Sequence, residues 1–123
     1  MTETRLRGLI ADALAATRDI DDSRAAEPYY AAVLDALLAA PSLRATAVRL
    51  FIQEVASPRT FAADLIAYCM HTLRWPEIRD AVTRLSEPQD TEAWRRKAHD
   101  YRDVLRAYAD DWRERSLYGR YSH

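Results

Sequence analysis

PYYAAVLDALLAAPSLRATAVRLFIQEVA, residues 28–56, decides the fold class. Apolar side chains recur three and four residues apart on both sides of a proline. Tyr30, Val33, Leu34, Leu37 and Leu38 precede Pro41, and Leu43, Ala47, Leu50, Phe51 and Val55 follow it. Such spacing places each set on one face of a helix, because a helix turns once every 3.6 residues or so, whereas a strand alternates with a period of two. The stretch therefore reads as two amphipathic helices, from Pro28 to about Ala40 and from Ser42 to Ala56, with a tight antiparallel turn at Pro41.

Outward from this pair the same unit continues. Glycine occurs only at Gly8 and Gly119, while Ala, Leu, Arg and Glu dominate, which favours helix and leaves few of the turns a β fold needs. Pro28, Pro41, Pro58, Pro76 and Pro88 each stand where a first-turn proline can open a helix without losing a hydrogen bond. The pattern predicts a first helix from Glu3 to Arg18, carrying Leu6, Leu9, Ile10, Ala13 and Leu14 on one stripe, and then a polar loop from Arg18 to Glu27. Ser57 and Pro58 read as N-cap and first turn of a fourth helix reaching about Arg74. Trp75 precedes Pro76, which drives it out of the helical region and ends that helix. A short helix from Pro76 to Leu85, a break over Ser86–Asp90 and one long helix from Thr91 to Leu117 complete the chain. Residues 1–117 make a single domain. Residues 118–123 form a tail that is either disordered or folded back through Tyr118 and Tyr121.

The paired helices across Pro28–Ala56 resemble the helical hairpins of HEAT-type repeat proteins. The resemblance implies a scaffold or binder. The expected fold is all-α, about six helices in antiparallel hairpins, arranged as a HEAT-like array or an irregular bundle, with a long C-terminal helix.

Charge and composition exclude several function classes. With 18 basic and 19 acidic residues there is no overall drive toward nucleic acid, whose binding rests on neutralising phosphates. No apolar run approaches the roughly 20 residues that span a bilayer, and the N-terminus lacks a signal peptide's apolar core, so the expectation is a cytoplasmic protein. The single cysteine, Cys69, forms no internal disulfide, in keeping with a reducing compartment. Lys97 is the only lysine and asparagine is absent, a bias that reads as the codon usage of a GC-rich bacterial genome. HExxH, CxxC and phosphate-cradling glycine loops are all missing, so no catalytic residue, metal ligand or cofactor is assigned.

YCMHTLRWPEIRD, residues 68–80, is the stretch most like a site. On a helical wheel with Phe61 as origin, Leu65, Tyr68, Cys69 and Thr72 share the buried face within about 80°, while His71 lies about 160° from Cys69. The two cannot converge on a metal or act as nucleophile and base within one helix. Cys69 reads as core. The other edge, Asp64, His71, Arg74 and Trp75, is a candidate partner-binding surface, since Trp and Arg are enriched at binding hot spots. Tyr118 and Tyr121 join it as candidates. In the last helix Trp94, Tyr101 and Tyr108 stand seven apart, with Ala98, Leu105 and Trp112 four residues after each. This aromatic stripe either docks across the preceding helices or forms a dimer face.

The functional expectation is a non-enzymatic protein-interaction module, such as a bacterial immunity- or antitoxin-like partner or a scaffold. Its rivals are a small-ligand or catalytic domain with an aromatic-lined pocket, and a homodimeric structural protein.

Overall fold

The computed structural model describes residues 1–122; His123 lies outside the described residues. Among them the chain is all-helical, with no strand, and forms a helical bundle. The helices are α1 (Glu3–Asp19), α2 (Ser23–Ala39), α3 (Arg44–Ala56), α4 (Ala63–Leu73), α5 (Pro76–Leu85) and α6 (Glu92–Arg106), with 3-10 turns over Pro41–Leu43 and Arg113–Leu117.

Side-chain caps mark three of the starts. Thr2, Asp22 and Thr91 accept hydrogen bonds from the backbone N–H groups of Arg5, Arg24 and Trp94, satisfying donors that a helix start leaves without partners. The Asp22 cap explains why α2 begins five residues before Pro28: the segment expected as loop supplies its own N-cap and a helical turn. Pro28 therefore sits inside α2.

α4 is the central helix. It packs against α1, α2 and α6, and Ala63 and every residue from Leu65 to Met70 are buried. α1 and α2 pack side by side after a three-residue link, Ile20–Asp22, while α5 lies between α3 and α6. The segment on which the hairpin resemblance rests takes a different course. The axis turns by 104° between α2 and the following Pro41–Ala56 segment, nearer a right angle than the antiparallel return expected at Pro41. Each helix of the pair finds its neighbours elsewhere, α2 against α1 and α4, α3 against α5. No single helix among the described residues is long and apolar enough to cross a membrane.

Two further expectations are corrected. Ser57 caps a turn rather than a helix, accepting from the Arg59 N–H at 3.2 Å, and the Thr60 hydroxyl donates to the Glu54 carbonyl at 2.6 Å. These bonds hold residues 57–62 out of the helix, so α4 starts at Ala63 and Phe61 is 64% exposed. At the other end α6 stops at Arg106, and Tyr108 and Trp112 leave the helix that was to carry the stripe to Leu117.

Candidate functional site

Beyond α6 the chain doubles back as a strap over α4 and the start of α2. Its 107–112 portion is pinned by α4's C-terminal end. The Ala107 carbonyl accepts from His71 Nδ1 at 2.8 Å, the Tyr108 carbonyl accepts from Arg74 at 2.9 Å, and Asp110 pairs with Arg74 at 2.7 Å. Arg74 has φ 50°, a left-handed C-cap that turns the chain from α4 into Pro76. The Tyr108 hydroxyl donates to the Trp75 carbonyl at 2.7 Å.

The strap's end is held by α2 and α4. Glu27 accepts from the Gly119 N–H at 2.7 Å, the Arg120 N–H at 3.2 Å and the Tyr68 hydroxyl at 2.8 Å. Burial works against this carboxylate's charge, but the three donors and the Arg120 guanidinium together hold it below the usual carboxylate range. Arg120 also pairs with Asp35 at 2.7 Å, and the Tyr121 hydroxyl donates to the Tyr68 carbonyl at 2.7 Å. Tyr118 packs edge-on to Tyr68 with centroids 4.9 Å apart and meets Tyr30 at 6.0 Å, while His71 lies between Trp112 and Tyr121. Here the aromatic side chains pack on one another across α2, α4 and the strap.

The residues singled out in the sequence thus part company. Trp75 and Tyr118 are buried, and Trp75 is further covered by the Arg44 guanidinium, 5.2 Å from its ring centroid. His71, Tyr108 and Tyr121 are half-buried in strap contacts, and Arg74 reaches solvent while bonded to the strap. Of the stripe, Tyr101 and Trp112 are buried, and Trp94, Ala98, Leu105 and Tyr108 are half-buried. Thr72, expected inside, is exposed. Among the described residues, Asp64 alone of the six partner-binding candidates makes no hydrogen bond or ion pair with the α4 end or the strap; it lies at the other end of α4, where only the charge of Glu114 in the strap reaches it.

Around Asp64 lies an open cleft of about 320 Å³, walled by Thr17 and Arg18 from the end of α1, Phe61, Ala63 and Asp64 from the entry to α4, and Asp100 from α6. Asp64 is exposed at the mouth of the cleft, yet partial desolvation by the walls around its carboxyl, then the charges of Asp103, Asp100 and Glu114, push it above its ordinary value, with His99 acting the other way. Burial likewise raises Asp103, and Glu114 and Asp100 add to it while His99 and Arg106 oppose it. Lys97, itself buried, pairs with Asp100 at 3.2 Å and reaches the Thr60 carbonyl at 3.4 Å, which ties α6 to the loop carrying Phe61. Among the described residues no group of three or more His, Cys, Asp or Glu side chains could hold a metal ion.

Sequence reasoning missed this cleft because it assigned Phe61 to the buried face. Phe61 is exposed because the 57–62 turn puts it outside the helix. That turn is closed by short-range bonds, Arg59 N–H to Ser57 and Thr60 to Glu54, in a stretch whose Ser57 and Pro58 read equally well as a helix start. No family model, curated protein or solved structure matches the chain.

Proposed function

We propose that the protein is a non-enzymatic protein-interaction module whose contact surface is the cleft at the entry to α4. The observation that carries this reading is Phe61, 64% exposed at the rim of a cleft that also holds Asp64 and Asp100. An exposed phenylalanine leaves apolar area in water, at a cost of about 25 cal/mol per Å² that a partner would recover. Beside it, Asp64 is destabilised as an anion by partial desolvation and like charges. A partner presenting an arginine or lysine next to an apolar side chain would cover the ring and neutralise the carboxylates together.

The test compares proteins captured at low salt by the wild-type chain and by Phe61→Ala. Phe61 lies outside the core, so the variant stays folded. The reading expects a partner retained by the wild type, lost with Phe61→Ala and weakened by Asp64→Asn. Identical captures by the wild type and Phe61→Ala would overturn it, as would no capture above background.

A further inference from the structure

The strap carries an inference independent of the Phe61 cleft. From Glu92 to Tyr118 the sequence contains neither proline nor glycine, and Tyr101, Leu105, Tyr108 and Trp112 keep helical spacing throughout. Local preference therefore runs for helix to Leu117. The chain nevertheless leaves the helix after Arg106, and Ala107, Tyr108, Ala109 and Trp112 donate to carbonyls three residues back, as turns do. Tertiary bonds hold them there: His71 to the Ala107 carbonyl, Arg74 to the Tyr108 carbonyl and Asp110. A helix-coded segment kept in turns by contacts far along the chain has a second conformation at hand.

The seat of the strap's end completes the case. Residues 119–121 bond to Glu27 and Asp35 of α2 and to Tyr68 and Thr72 of α4, none of them near in sequence. Those contacts form equally well with a strap from another molecule. We infer that the chain has a second state in which α6 continues as one helix through Leu117 and delivers residues 118–122 to the α2–α4 seat of a second copy, which returns its own strap in exchange. In this swapped dimer Tyr108 and Trp112 extend the apolar stripe of α6, and the second copy covers it. The contacts of residues 119–121 are the same in both states. The His71 and Arg74 bonds to residues 107–110 and the Trp112 packing on His71 are exchanged for the cover of the second copy, so the hinge conformation and the protein concentration set the balance.

A charge exchange tests the swap on full-length chains. Asp35→Arg and Arg120→Asp each place like charges across the seat within one molecule, at positions that reach solvent. Across a heterodimer of the two variants, both seats regain opposite charges. Co-refolded from urea and followed by light scattering, the mixture is expected to give roughly tenfold more dimer than either variant alone. Adding Asp110→Pro to both chains is expected to remove that dimer. Asp110 is the second residue of the turn closed by the Trp112 N–H on the Ala109 carbonyl, where proline fits at the loss of only the solvent-exposed pair with Arg74, whose bond to the Tyr108 carbonyl remains. In a continuous helix, by contrast, proline is a breaker. A mixture that stays monomeric with both variants folded by circular dichroism overturns the inference. So does equal dimer from either variant alone, or a dimer that survives Asp110→Pro. If a charge variant fails to fold, the wild type refolded at high concentration must give dimer where Asp110→Pro gives none; monomer from both, or dimer from both, overturns the inference equally.

Discussion

The Cys69 thiol has no route to solvent. It sits on the central helix with no exposed surface, and burial pushes its ionisation far upward, so the thiolate that would attack or ligate does not form. Cys69→Ser puts a hydroxyl where a small apolar group stood. It is expected to cost about 1 to 3 kcal/mol in urea unfolding, with the slope of the transition unchanged. A loss below that range would mean that the hydroxyl bonds back to a carbonyl of its own helix. The burial of Cys69 was legible from helical periodicity alone, even though the wheel took its origin from Phe61, which proved exposed: the relative placement of Leu65, Tyr68 and Cys69 does not depend on that origin. The burial of Trp75 was not legible, because it comes from Arg44, thirty-one residues away in sequence, and from the Tyr108 hydroxyl. Glu27 was read as the end of a loop. Three donors that converge from α4 and the strap make it a fastening point, and Glu27→Ala is expected to cost about 2 kcal/mol, as charge-assisted bonds do. The loss should fall first on amide protection of residues 118–122 in hydrogen exchange.

Elements reproduce the sequence reading where local signals and tertiary contacts agree. α5 spans Pro76–Leu85 as expected, since Pro76 opens it, Trp75 is held extended before it, and Ile78 and Val82 are fully buried. α1 ends within a residue of its expected boundary for the same reason. Proline as punctuation failed at Pro28, where the Asp22 cap starts α2 earlier, and at Pro58, where the Thr60–Glu54 bond makes a loop. The aromatic periodicity of α6 promised a helix to Leu117, but Arg74 and His71 outbid it for the backbone carbonyls of Ala107 and Tyr108. Trp112 therefore acts as a core residue in this fold, 4% exposed between His71, Tyr118 and Tyr121. Trp112→Ala is expected to destabilise the monomer by about 3 to 5 kcal/mol, measured by thermal or urea unfolding. A small loss of stability together with loss of self-association would instead assign Trp112 to an interface.

At the scale of the whole molecule, a net charge near zero conceals two carboxylate groups that answer acid in opposite senses. Glu27, held below its ordinary value by the donors around it, contributes stability that is present above that value and disappears as pH falls through the depressed one. Asp64 and Asp103, raised by desolvation and like charges, do the reverse: their contribution is full below the ordinary aspartate range and is lost as pH rises through the raised values. Acidification from neutrality should thus first relieve the cleft at the entry to α4 and only later loosen the strap, placing maximum stability on the mildly acidic side. Asp64→Asn isolates the first effect. The first turn of α4 favours a negative charge, but partial desolvation and three neighbouring carboxylates outweigh it. The variant should therefore be more stable than the wild type at pH 7, by less than about 1 kcal/mol because solvent screens a group that reaches the surface. The difference should shrink as pH falls and vanish near pH ~3, below the ordinary aspartate range, where the wild-type carboxyl is itself neutral. Melting temperatures of both chains from neutral pH to the acid limb decide it. A gain that stayed constant across that range would have to come from packing, and the electrostatic account of the cleft, with the basic partner it implies, would lose its support.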